Sequence, residues 1–149
     1  MNNFLTIQSF KKELIIEKSY MFLEELLPHE KIFYDRLHGL KTYMESLSPA
    51  IIIPSIIICS KTKIIIDGHH RYYALKDLNI DKAPITCINY DSKKIITNSQ
   101  NNIKKSLIIK SALVSNLFPP KTTEHKIKHE SMNYPLILLS DLMAVKKAK

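Results

Sequence analysis

Two unbroken apolar runs, Ile56-Ile57-Ile58-Cys59 and Ile64-Ile65-Ile66, stand in the middle of the chain with only Ser60-Lys61-Thr62-Lys63 between them. Continuous β-branched runs of this length around a short polar break read as a buried β-hairpin. The second run stops abruptly at Asp67-Gly68, and Gly68 is one of only two glycines in the chain. Beyond it Tyr72, Ala74, Leu75 and Leu78 give a short helix that closes at Asn79, a residue tolerant of the left-handed conformation at a helix end. The order strand, Asp-Gly, helix constrains the fold and any chemistry in it more than any other feature.

Around this centre the pattern mixes helices and strands. Phe33, Leu37, Leu40, Met44 and Leu47 recur at helical spacing and predict a helix ending near Ser48-Pro49. Tyr20-Met21-Phe22-Leu23 reads as an opening strand, after which Pro28 stops any regular ladder. Pro84 to Tyr90 reads as another strand, and the polar, asparagine-rich residues 91 to 104 as a loop. A helix follows from about Ile103 to Leu117, ended by Phe118-Pro119-Pro120. The tail from Tyr134 to Val145 holds a last strand and a turn of helix, before a frayed lysine end. A hairpin, separate strands and intervening helices indicate an α+β fold.

At 149 residues, 45% hydrophobic and 24% charged, the chain can bury a real core as one domain, 1–149, without a disulfide or metal staple. Its longest apolar stretch, Ala50 to Cys59, is broken by Pro54 and Ser55 and is about half of what a membrane-spanning helix needs. Met1-Asn2-Asn3-Phe4 lacks the basic, then apolar, start of a secretory signal, which places the expected location in the cytoplasm with reduced thiols. Cys59 and Cys87 lie in strand-like segments without CxxC spacing and read as small buried hydrophobes. The net charge of +8 invites a nucleic-acid partner. However, twenty of the twenty-two basic residues are lysine in an isoleucine- and asparagine-rich chain, as an AT-biased genome produces, so nucleic acid is not the favoured partner. A small phosphorylated substrate would suit the same basic surface.

Three segments carry candidate chemistry. A strand that runs into glycine and then a helix leaves the first helical N–H groups unpaired at the positive end of the helix dipole, a natural anion cradle. There Gly68 lets the backbone come close to a ligand, His69 and His70 add donors, and Arg71 offers a planar fork for phosphate oxygens. Adjacent histidines project in different directions, so two ligands on one metal is a poor fit. In Leu27-Pro28-His29-Glu30, Glu30 reads either as a carboxylate favouring a helix start or as a general base for a hydroxyl nucleophile. In Pro119-Pro120-Lys121-Thr122-Thr123-Glu124-His125 the choice is between a polar loop and a pocket edge that holds a small zwitterion or phosphate.

Leu-Pro-His-Glu, then about thirty-five residues later Ile-Asp-Gly-His-His-Arg-Tyr-Tyr-Ala-Leu, then Pro-Lys-Thr-Thr-x-His, in this order, resembles the free L-serine kinases of the ParB/sulfiredoxin superfamily. The resemblance runs from roughly Phe22 to Ile127. It implies a mixed sheet flanked by helices and transfer of the terminal phosphate of ADP or ATP to the hydroxyl of free L-serine, with Mg2+. By position it makes Glu30 and Asp67 catalytic, with Glu30 deprotonating the serine hydroxyl and Asp67 close to magnesium. Gly68, His69, His70 and Arg71 would grip the nucleotide phosphates, and Lys121, Thr122, Thr123 and His125 would line the serine pocket. Glu124 stands where an arginine is expected in the relatives, so beside a phosphate its side chain must point away.

The same superfamily offers other roles. Sulfiredoxins need a cysteine where His69 stands, and neither Cys59 nor Cys87 can replace it from within a strand. ParB partition proteins carry a helix-turn-helix domain for which the roughly fifty C-terminal residues leave no room. A non-catalytic nucleotide- or DNA-binding adaptor or regulator is the alternative to the kinase.

Overall fold

A computed structural model describes residues 3–97 and 103–146. At its centre is a four-stranded mixed sheet made of β1 (Ile15–Phe22), β3 (Ile56–Cys59), β4 (Ile65–Asp67) and β5 (Lys82–Ile88), in the order β1-β5-β3-β4. β5 runs antiparallel to β1 and parallel to β3, while β3 and β4 form the antiparallel hairpin expected from the two isoleucine runs. The fold is α+β with a mixed sheet, as the sequence pattern indicates.

The unbroken runs have a physical cause in the two cores that cover opposite faces of this sheet. Ile56 and Ile58 pack with Leu37, Met44, Ala74, Leu75 and Ile85, and so with α2 (Tyr34–Ser46) and α3 (His69–Asp77). Ile57, Cys59, Ile64 and Ile66 pack the other way, against Phe10, Leu14, Ala112 and Ile127. These come from α1 (Asn3–Leu14), α4 (Lys105–Leu113) and β7 (His125–His129). A strand covered on both faces has no solvent side on which to place polar residues. Each fully buried isoleucine adds roughly 1.5–3 kcal/mol of transfer free energy. Both cysteines are buried and free.

Several elements differ from expectation. α1 occupies the N-terminal stretch, to which the sequence pattern assigns no element, with Phe10 and Leu14 buried and Ile7 packed against their core. β1 extends over Ile15–Phe22 rather than Tyr20–Leu23, and Leu23–Glu25 is a 3-10 turn. Ile51–Pro54 forms β2, paired with β9 (Leu142–Val145) at the end of the chain. β7 makes a three-stranded antiparallel sheet with β6 (Ile95–Thr97) and β8 (Met132–Pro135), where a loop and an undefined stretch were expected. The rest of the expected 91–104 loop and the lysine end lie partly outside the described residues. α4 ends at Leu113, four residues short of the predicted limit. Among the described residues no helix is long and apolar enough to cross a membrane.

Candidate active site

β4 delivers Asp67, and Gly68 follows at φ 112° as the N-cap of α3. A side chain there would be strained, and a Cβ would also stand 3.0 Å from Arg71 Nη2. The close approach exists because Arg71 folds back over Gly68. Its Nη2 donates to Asp67 Oδ2 at 3.0 Å, and its Nη1 donates to the carbonyls of Pro54 and Ser55 at 2.8 and 2.7 Å. Arg71 is only 9% exposed, and burial pulls its pKa down against the opposing effect of Asp67. The expected open fork for phosphate is thus engaged inward, fastening the start of α3 to the β2–β3 link. Ser55 anchors that link, accepting at its carbonyl from Ser140 Oγ and sharing a 2.6 Å bond between Oγ and Thr86 Oγ1.

The paired histidines also differ from the donors anticipated. His69 Nε2 accepts from the backbone N–H of His29 at 3.1 Å, and His70 Nε2 accepts from that of Phe33 at 3.0 Å. In each neutral ring the proton therefore sits on Nδ1. Burial lowers the pKa of both rings, with neighbouring His29 adding to the effect at His69 and Arg36 at His70. Phe33, the first residue of the predicted helical apolar stripe, is 42% exposed and stacks on His70, with centroids 6.3 Å apart.

These bonds hold the segment 27–33 along the start of α3. The same segment is threaded between β4 and the loop after α4. Leu27 N–H donates to Lys63 O, and Ile65 N–H donates to Leu27 O. On the other side Phe118 N–H donates to His29 O, and Lys31 N–H donates to Phe118 O. Glu30 is not at a helix start, because α2 has Phe33 as its N-cap and Asp35 in its first turn. It turns instead to the segment 119–123. Its Oε1 accepts from Lys121 N–H at 2.8 Å, and its Oε2 accepts from Thr123 N–H at 3.0 Å and from the Thr123 hydroxyl. Lys121 takes φ 59°, and the bend turns two amides onto one carboxylate. Thr122 Oγ1 donates to Pro119 O at 2.5 Å, bracing the bend.

All three candidate segments therefore meet. Glu30 bonds the third segment directly, and Glu30, Lys121 and Arg36 all act electrostatically on His70 of the second. Arg36 and Lys121 are exposed, and among the described residues neither side chain is drawn into an ion pair. Asp67 keeps 41% of its side chain exposed beside the N-terminus of α3. Glu124 is exposed between buried Thr123 and His125, so its side chain points away from them.

His125, expected at the pocket edge, is 6% exposed and shares a 2.7 Å hydrogen bond with the Tyr90 hydroxyl. It lies beneath the site, its ring 6.0 Å edge-on from His29. Burial lowers its pKa to about 3 and that of His29 to about 4. Lys105 braces this floor, donating to the Tyr90 and Ser92 carbonyls at 2.7 and 2.8 Å with its ammonium 5.0 Å from the Tyr90 ring centroid. His29, Tyr90 and Lys105 were not singled out from the sequence. Only His29 had a visible signal, its place beside Glu30. A cavity of about 530 Å3 bordered by Phe22, Tyr72, Lys76 and Asn79 lies toward the other end of α3, and no candidate site residue lines it.

No protein-family model matches the chain. Among curated proteins it is 32% identical over 80 residues to a ParB-like protein of Sulfolobus acidocaldarius, covering 54% of this chain and 39% of that one. It is 33% identical over 82 residues to an ATP-dependent L-serine kinase of Staphylothermus marinus, covering 54% of this chain and 32% of that protein. The matches thus span well under half the length of either relative. Among solved structures, a free serine kinase mutant in complex with ADP superposes with a TM-score of 0.66 at 12% identity, over 89% of this chain and 93% of the other. A free serine kinase in complex with AMP gives 0.63 at 13% identity, over 89% and 92%. The resemblance read from three short motifs is thus met both in sequence and in architecture, and the chain carries the fold of the free serine kinase structures.

Proposed function

We propose that the chain transfers the terminal phosphate of ADP or ATP to the hydroxyl of free L-serine, giving O-phospho-L-serine and AMP or ADP. The observation that carries this reading is Glu30, a carboxylate fixed by two backbone amides and a hydroxyl next to the N-terminus of α3. A carboxylate has about four lone-pair sites. Three are taken, two of them on Oε2, so Oε1 has room for one more donor. In the proposed step the serine hydroxyl occupies that place. As its oxygen bonds to the terminal phosphorus, the phosphoanhydride P–O bond breaks and the hydroxyl proton passes to Oε1.

Phosphoryl transfer asks the protein for alignment and charge neutralisation more than for covalent chemistry. The first N–H groups of α3, after Gly68, supply one part of this for the nucleotide phosphates. Lys121 and Arg36 supply the exposed cationic charge, the role the sequence assigned to Arg71. Asp67 is the residue that would hold Mg2+, because one half-exposed carboxylate with phosphate oxygens and water meets the usual demand of that ion. Bound there, the ion would neutralise phosphate charge. Thr123 is drawn into holding Glu30, leaving Lys121 and Thr122 as the members of the last segment nearest the proposed amino-acid pocket.

The test is incubation with L-serine, magnesium and either nucleotide, followed by detection of O-phosphoserine. Product is expected with at least one donor, and its absence with both at saturating serine ends the kinase reading. Glu30→Gln is expected to lower turnover by at least about a hundredfold while nucleotide still binds. Retained turnover would remove Glu30 as the base.

A further inference from the structure

We infer that His29 is a positioning residue for Glu30, acting through the Thr123 hydroxyl. Its catalytic consequence rests on the kinase reading above, whereas its geometric part stands on hydrogen bonds alone. A threonine hydroxyl has one proton to give. At Thr123 that proton goes to Glu30 Oε2, since an ionised carboxylate can only accept. Thr123 Oγ1 must then accept from its other neighbour, His29 Nε2, at 2.7 Å. This assigns the ring to its Nε2–H tautomer, with Nδ1 bare, and among the described residues Nδ1 has no hydrogen-bond partner.

The alternative arrangement has a clear cost. With the proton on Nδ1, that N–H would be buried without a partner among the described residues and Nε2 would become an acceptor. The Thr123 hydroxyl would turn toward it and leave Glu30. One imidazole tautomer therefore decides whether the hydroxyl serves the carboxylate. The ring is held for this task. His29 is fully buried, its backbone N–H donates to His69 Nε2, and its carbonyl accepts from Phe118 N–H. The rings of His69 and His125 stand edge-on to it at 4.6 and 6.0 Å, and His125 is itself tied to Tyr90.

The experiment has two arms. Ring nitrogen shifts of 15N-histidine-labelled protein read the tautomer whatever the activity. Nε2–H at His29 is expected, and Nδ1–H overturns the inference. In the kinetic arm, Thr123→Val and His29→Leu are each expected to lower kcat about a hundredfold, the scale of a misplaced reacting group. KM for serine and nucleotide should stay within about threefold, since neither group touches a substrate. His29→Gln puts an amide N–H near the Nε2 position and is expected to recover most of that loss. The double variant should be no slower than the worse single, because both cut one path. A folded Thr123→Val enzyme with wild-type kcat, a His29→Gln enzyme as slow as His29→Leu, or multiplying effects would each overturn it. If His29→Leu does not fold, Thr123→Val carries this arm. A wild-type protein that makes no O-phosphoserine removes the kinase reading, and the tautomer still decides the geometry.

Discussion

Arg71 shows how residue type and residue role separate. Its place in a Gly-His-His-Arg turn suggests a phosphate ligand, yet its guanidinium donates to two backbone carbonyls and one carboxylate and is almost wholly buried. Removing it leaves the Pro54 and Ser55 carbonyls without this donor, so Arg71→Ala is expected to cost about 2–3 kcal/mol of stability in a denaturant melt. Arg71→Lys should recover little, because a point charge cannot reach both carbonyls and Asp67 at once. A variant that unfolds like the wild type but binds nucleotide weakly would restore the ligand role. The identity of the residue was legible in the sequence and its direction was not. That direction depends on Pro54 and Ser55, which lie sixteen or seventeen positions upstream and arrive only through sheet pairing.

The elements that read correctly are those whose signal is local. α2 repeats its apolar residues every three or four positions, and the β3–β4 hairpin and α3 flank one glycine. Gly68→Ala would test how tightly that junction is built. At φ 112°, with Arg71 in the space a Cβ needs, the substitution is expected to cost about 1–3 kcal/mol. It should also weaken nucleotide binding by shifting the first turn of α3. Unchanged melting and unchanged affinity together would contradict that account. The elements that were missed had weaker or distant signals. β7 alternates buried His125 and Ile127 with exposed Lys126 and Lys128, a period of two that was present but short. β2 is stabilised by β9, some ninety residues later, and no window of sequence holds both.

Across the whole molecule, three neutral histidines lie under the site, with the pKa of His29 lowered to about 4 and that of His125 to about 3 by burial. An unfolded chain takes protons on these rings below about pH 6.5, whereas the folded one refuses them. Stability is therefore complete above that value and falls as the pH drops toward the folded pKa values, by about 1.4 kcal/mol per unit for each ring that stays neutral. Urea melts at pH 7.5 and 5.0, above the ordinary carboxylate range, should show this loss, and His29→Gln should reduce it. Equal stability of the wild type at both values would mean that the rings accept protons while folded. The thread of residues 27–31 between Lys63–Ile65 and Phe118 has a bearing on engineering as well. A fragment cut before Phe118 would retain all four strands of the central sheet and lose the Lys121 and Thr123 amides that aim the acidic group. Transplanting the two upstream signatures into a foreign scaffold would thus carry over the ingredients of the proposed phosphorylation without their alignment.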